Sequence, residues 1–188
     1  TSFLSAVIGA KERVGFDSGP RSLFYNIRVP VPKAPEYVPL RKIRMVKHWL
    51  NVTGRVAPEE KSYRPELHLT SDDEAFAANW MRKEGVLLKS YAILAPAHRH
   101  EIRQWRPDGF RNVALNLAGK SGMKVFLAWG PGEEDLMKQI RKDVEDKIGL
   151  LPLTSLREMA SIFKYAKLLV TNDSGAMHLA VSVRTPTV

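Results

Sequence analysis

The chain has 188 residues, 44% of them hydrophobic, enough to bury the core of one domain or two small ones. It contains no cysteine, which excludes disulfides and thiolate metal sites and leans toward the cytoplasm, and no apolar run approaches the roughly 18 residues of a membrane-crossing helix. A net charge of +9 favours polyanionic partners (nucleic acid, an anionic membrane surface or a phosphorylated substrate) without choosing among them.

Thr1–Ala10 is mildly apolar, lacks the basic flank of a signal peptide, and reads as the end of a helix. The chain starts with Thr rather than Met, as a fragment or a processed product would. Arg13–Phe16 reads as a short strand. Asp17–Pro39 carries Pro30, Pro32, Pro35 and Pro39, too dense for a regular helix, and is expected to be irregular. Leu40, Ile43, Val46 or Lys47, and Leu50 repeat near helical spacing and stop before Gly54. Arg41, Lys42, Arg44, Lys47 and His48 make the other face of that helix basic, either solvated or turned to a membrane.

Ala57–Pro65 is polar and reads as a linker, and Pro65–Leu69 as a short extended piece. Ser71 and Glu74 have the spacing of a capping box that opens a helix through Phe76 and Trp80 to Gly85. The domain boundary is placed here, between residues 1–70 and 71–188. A regular alternation follows. Tyr91–Ala95 is a buried-type strand, Pro96–Arg106 a cationic loop, and Pro107 the start of a helix ending near Gly119 and Gly122. Lys124–Trp129 is the next strand, and Gly130–Glu134 turns into a helix with Leu136, Ile140 and Val144 on one face. Leu150–Leu153 is extended, Ser155 and Glu158 cap a helix, and Leu168–Thr171 is a strand. Asn172–Gly175 is turn chemistry, Ala176–Val183 a small-residue helix, and Pro186 closes the stretch.

Strands alternating with helices predict an α/β fold with a parallel sheet, whose ligands bind beyond the carboxyl ends of the strands. Three strand-to-helix loops therefore converge. Pro96–Arg106 brings His98, Arg99, His100, Arg103 and Arg106, a set suited to a diphosphate or simply a flexible basic loop. Gly130–Glu134 brings Glu133 and Glu134, which either accept from ribose hydroxyls or only complement a helix dipole. Asn172–Gly175 aims backbone N–H groups and the Ser174 hydroxyl at an anion, with Gly175 allowing close approach. Asp173 would repel a phosphate, so it binds sugar hydroxyls or caps the helix. His178, one turn on, is either structural or faces the same mouth.

Together these loops describe a nucleotide-sugar site. The chain has no GxGxxG, no GxxxxGK followed by Ser or Thr, and no GxSxG, which disfavours a dehydrogenase, a P-loop kinase and an α/β-hydrolase. The five histidines show no metal-ligand spacing, and no metal or cofactor is expected. A basic nucleic-acid-binding module is disfavoured as well, because cationic and aromatic residues are spread over both halves. A transferase or epimerase using another nucleotide sugar stays open.

Thr171–Val188, TNDSGAMHLAVSVRTPTV, resembles the "nDTGpmHlAaAlgtP" signature of the heptosyltransferases, glycosyltransferase family 9. Trp129–Asp135, WGPGEED, resembles that family's "GgpgEe" turn; Arg103-Gln104-Trp105 with Pro107 resembles its "K-x-W-p" element; and Arg13–Asp17 resembles its "riGf" strand. The resemblance implies a GT-B architecture, two Rossmann-like domains with parallel sheets, both incomplete here: residues 1–70 a remnant of the acceptor-side domain and linker, residues 71–188 a truncated donor domain. It implies an inverting transfer of heptose from ADP-heptose to lipid A–Kdo, an anionic lipopolysaccharide precursor at the inner membrane surface, by a peripheral cytoplasmic enzyme.

By position in the motifs, Asp173, Ser174, Gly175 and His178 would line the donor site, and Arg103 would replace a phosphate-binding Lys. Glu133 or Glu134 would hold the ribose, Thr154 would border the adenine, and His98-Arg99 would stand where the family has a small or hydroxyl pair. The family's opening strand and its Gly-Asp turn, whose Asp looks like the catalytic base, would precede Thr1. The resemblance therefore implies weak donor binding and no turnover by these 188 residues.

Overall fold

The computed structural model describes residues 2–34, 36, 38–56 and 65–188. The chain divides into two compact units, Thr1–Tyr63 and Arg64–Val188. Most of the linker expected at Ala57–Pro65 lies outside the described residues.

The first unit starts with helix α1 (Ser2–Val7) and strand β1 (Val14–Phe16). A 3-10 helix over Pro20–Phe24 then crosses to β2 (Ile27–Val29), which pairs parallel with β1 in the register Val14 to Ile27. This corrects the irregular reading of Asp17–Pro39. The prolines do exclude a long helix there, but Ile27-Arg28-Val29 is free of them and pairs as a strand. Gly15 is required beneath Tyr25, since a Cβ on it would meet that ring at 2.1 Å. Helix α2 (Val38–Val52) takes Pro39 into its first turn, where the missing N–H costs nothing. Its basic face is partly engaged: Arg44 pairs with Glu36 at 2.7 Å, and Arg41 lies over the Phe16 ring. No helix among the described residues is long and apolar enough to cross a membrane.

In the second unit, residues 65–70 are held in place rather than free. The Leu67 N–H donates to the Ser182 carbonyl, and Arg157 donates to the His68 carbonyl. Helix α3 (Ser71–Glu84) is capped one residue earlier than the sequence suggested, by Thr70 and Asp73 instead of Ser71 and Glu74. The reason lies in the neighbours. Glu74 is occupied by Lys164, at 2.5 Å, and by the Tyr165 hydroxyl, whereas Asp73 both accepts from the Thr70 N–H and pairs with Arg157 at 2.7 Å. The Thr70 N–H, then Arg157, hold the Asp73 carboxyl below the usual carboxylate range.

The remaining elements are β3 (Tyr91–Ala95), α4 (Pro107–Ser121), β4 (Lys124–Leu127), α5 (Glu134–Arg141), β5 (Ile148–Leu150), α6 (Leu156–Tyr165), β6 (Leu168–Thr171) and α7 (Gly175–Ser182). Strand β5 falls two residues before the expected Leu150–Leu153. Leu151 still donates to the Leu127 carbonyl, and Pro152 then ends the ladder. Pro186 does not close the stretch. Its carbonyl accepts from the Leu169 N–H, and Thr187 bridges Leu169 in parallel.

All four strands of this sheet are parallel, in the order β5-β4-β3-β6. Every residue of β3 is buried, as a central strand with both faces covered requires. Tyr91 and Ile93 join Trp80, Phe126, Phe163 and Leu169 in one core layer, and Ala92 and Leu94 join Phe110, Val125, Met137 and Ile140 in the other. The Tyr91 hydroxyl satisfies itself by donating to the Ile162 carbonyl at 2.6 Å. The α/β class with parallel sheets is as expected. The sequence did not give the strand order, and that order locates the site.

Candidate functional site

Chain order reverses between β3 and β6: β4 and β5 lie on one side of β3, and β6 lies on the other. At such a reversal the loops leaving the two strands that flank it diverge and open a crevice at their carboxyl ends. Here those loops are 96–106 after β3 and 172–174 after β6, with 128–133 after β4 beside them. They surround a cavity of about 260 Å3 lined by Ala97, His98, Arg99, Trp129, Gly130, Glu133, Met159, Ser174, Gly175 and Ala176, with Ala95 and Ala128 at its floor.

Hydrogen bonds join the first and third loops. Buried Asn172 accepts from the Trp105 N–H through Oδ1 at 3.0 Å and donates from Nδ2 to the Pro96 carbonyl at 2.7 Å. His98 Nε2 lies 3.0 Å from the Asp173 carbonyl oxygen. The sequence reading missed Asn172 as a functional residue and took it only as turn chemistry. Its one available signal was an amide, able to donate and accept together, at the point where a strand enters a turn.

Helix α7 begins at Gly175, with Ser174 as its N-cap residue but with no side chain capping it. The first N–H groups of this helix therefore face the cavity without a side-chain partner, an arrangement that favours an anion. Asp173 does not cap the helix, which removes that alternative; it is exposed beside the turn. The Ser174 hydroxyl sits 3.3 Å from Thr171 Oγ1 and can rotate between that partner and a ligand. Gly175 has an ordinary backbone conformation, and a Cβ built on it would meet no protein atom within 4 Å. Nothing in the protein itself requires glycine there.

Glu133 is half-buried, and its Oε2 accepts from the Gly130 N–H at 2.8 Å, closing the turn. Oε1 remains free among the described residues. Glu134, the first residue of α5, is exposed and does not line the cavity. Arg99 is exposed at the rim, with no side-chain partner among the described residues. Arg103 ends the 3-10 helix Glu101–Arg103 of the same loop, exposed and outside the cavity lining. Thr154 lies between β5 and α6; its Oγ1 is shielded from solvent without a hydrogen-bond partner, and it too stays outside the lining. His178 is exposed one turn along α7 and does not reach the lining either. The structure thus gathers His98, Arg99, Glu133, Ser174 and Gly175, and leaves Arg103, Glu134, Thr154, Asp173 and His178 around them. Among the described residues, no three His, Asp or Glu side chains cluster as metal ligands.

Comparison with known proteins places this geometry in context. The family model for glycosyltransferase family 9 (heptosyltransferase) matches residues 1–188. Lipopolysaccharide heptosyltransferase 1 of Salmonella typhimurium is 28% identical over 169 residues, covering 89% of this chain and 48% of the relative. The E. coli heptosyltransferase WaaC, solved with ADP-2-deoxy-2-fluoro heptose, superposes with a TM-score of 0.58 at 25% identity, over 89% of this chain and 48% of that one. A glycosyltransferase family 9 structure from Veillonella parvula shares the fold, with a TM-score of 0.68 at 18% identity over 100% of this chain and 52% of that one. The chain spans about half the length of the curated relatives that cover most of it. With the family model matching from end to end, this chain belongs to glycosyltransferase family 9, the heptosyltransferases.

Proposed function

We propose that this chain holds the donor site of an inverting glycosyltransferase that moves heptose from ADP-heptose to the inner core of lipopolysaccharide, on a lipid A–Kdo acceptor. The observation that carries the reading is that the uncapped N-terminus of α7 and Arg99 line one cavity at the reversal of strand order. A diphosphate fits that pairing: the backbone N–H groups of residues 174–176 and the Ser174 hydroxyl donate to one side, and the Arg99 guanidinium to the other. The free Oε1 of Glu133 can accept from a ribose hydroxyl while Oε2 keeps the turn closed. The volume of about 260 Å3 lies at the small end of ligand sites, roughly 300–1,000 Å3, so part of the nucleotide lies in the open groove.

In the proposed reaction a base takes the proton of the acceptor hydroxyl as its oxygen attacks the anomeric carbon. The bond from that carbon to the diphosphate breaks, and ADP leaves with the electron pair. Arg99, Arg103 and the N–H groups of α7 stabilise the charge building on the leaving group. The base is not assigned to a residue of this chain. The net charge of +9 suits work beside an anionic lipid, on the cytoplasmic face of the inner membrane, without a spanning helix in the described residues.

Calorimetric titration tests the donor. ADP-heptose is expected to bind at least about tenfold tighter than UDP- or GDP-linked sugars. Arg99→Ala is expected to weaken ADP binding by about tenfold, as loss of one charge-assisted hydrogen bond does, and Arg103→Ala by less, since it lies outside the lining. Equal affinity for all three nucleotide sugars, or none for ADP-heptose, contradicts the reading.

A further inference from the structure

We propose that His98 is a positioning residue: a neutral imidazole with its proton on Nε2, it ties the loop after β3 to the turn after β6 and holds the mouth of the cavity in shape. The two ring nitrogens have different neighbours. Nε2 lies 3.0 Å from the Asp173 carbonyl oxygen, which can only accept, so Nε2 must donate. The His100 N–H donates to Nδ1 at 2.9 Å, so Nδ1 must offer its lone pair. One neutral tautomer meets both demands. The opposite tautomer would set a lone pair against the Asp173 carbonyl and a proton against the His100 N–H. A ring protonated at Nδ1, charged or neutral, could donate to the His100 carbonyl, also at 3.0 Å, but would leave the His100 N–H facing a proton instead of an acceptor.

The link to Asp173 joins residues 75 apart in sequence across the strand reversal, and the next residues after Asp173 are the ones whose N–H groups face the cavity. With both nitrogens committed to backbone, His98 has none left for a ligand. This revises the expectation that His98 and Arg99 both serve the donor: His98 shapes the wall with its ring, and Arg99 alone of the two offers charge to an anion. The Asn172 bonds beside it hold the same two loops, so the fold does not depend on His98 and the effect is local.

The test uses the unliganded 188-residue chain at near-neutral pH. Long-range proton–nitrogen NMR of the labelled ring is expected to show a neutral His98 protonated at Nε2. Amide exchange at His178, whose N–H makes the first hydrogen bond of α7, to the Ser174 carbonyl, is expected to speed up about tenfold in His98→Ala. His98→Gln, which can place an amide donor near the Nε2 position, should restore protection, while His98→Asn, which reaches only the Nδ1 position, should not. A ring protonated at Nδ1, a charged ring, or exchange in His98→Ala equal to wild type overturns the proposal. Should His98→Ala unfold, the tautomer and the contrast between His98→Gln and His98→Asn decide it.

The clamp deepens the donor reading but fails separately from it. A wild-type chain that shows the tautomer and the protection yet ignores ADP keeps the clamp and removes the donor. A wild type that binds ADP with exchange unaffected by His98→Ala keeps the donor and removes the clamp.

Discussion

At the scale of single residues, the proposed donor site separates groups left free for a ligand from groups that hold the wall. Gly175 belongs to the first kind. Because a Cβ there meets no protein atom within 4 Å and the backbone is unstrained, Gly175→Ala is expected to leave stability unchanged or to raise it by about 0.5 kcal/mol. The same methyl stands where an anion would approach the helix N-terminus, so ADP affinity should fall. A thermal melt paired with calorimetry checks both halves, and a destabilised variant that binds ADP normally would contradict the argument. Asn172 belongs to the second kind. Asn172→Ala removes both of its bonds and strands the buried Pro96 carbonyl, while the Trp105 N–H, on an exposed residue, can turn to water; the expected cost is about 1–3 kcal/mol in urea unfolding. Gly175 and Ser174 stood out in the sequence as turn chemistry before a small-residue helix, where serine is as often only a cap. The sequence hid Asn172, because which backbone groups an amide satisfies is decided by a strand 76 residues away.

Among the elements, those with strong local signals came out where the sequence put them. The Ser155–Glu158 capping box, the αL glycines Gly85 and Gly122, and Pro107 at a helix start all stand as expected. The misplacements have a common cause, competition from partners distant in sequence. The α3 cap moved to Thr70 and Asp73 because Lys164 and Tyr165 claim Glu74. Strand β2 formed among prolines because β1 was there to pair with it. The Asp73 cap also carries a pH dependence. Its carboxyl titrates lower in the folded chain than in the unfolded one, owing to the Thr70 N–H and then Arg157. Its contribution is therefore intact above about pH 4, the unfolded value, and is lost as pH falls through the folded one. Asp73→Asn is expected to flatten the fall of stability with acid below about pH 4. Stability profiles of wild type and variant measured from pH 6 down to about pH 2 check this, and parallel profiles would contradict it.

Across the whole molecule, the proposed function rests on the position of one reversal. Every strand of the larger sheet is parallel, so all the strand-to-helix loops leave from the same edge, and the order β5-β4-β3-β6 brings the loops after β3 and β6 together. The alternation of strands and helices made the class legible and predicted that loops far apart in sequence would share one edge. It did not show that Glu133 would spend one oxygen on its own turn, or that Arg103 would stand outside the lining. Those outcomes depend on loop conformation, to which hydrophobic periodicity is blind. The polar cavity of about 340 Å3 lined by Glu66, Glu74, Lys164 and Arg184 offers a contrast. Its charges pair with one another, Lys164 with Glu74 and Arg184 with Glu66, whereas Arg99 and the start of α7 are left unmatched. The most direct measurement of the account is amide chemical-shift mapping of the chain titrated with ADP. The predicted result is a saturable set of shifts at His98, Arg99, Gly130, Glu133, Ser174, Gly175 and Ala176. Shifts centred instead on Glu66, Lys164 and Arg184, or no saturable shifts at all, would contradict it.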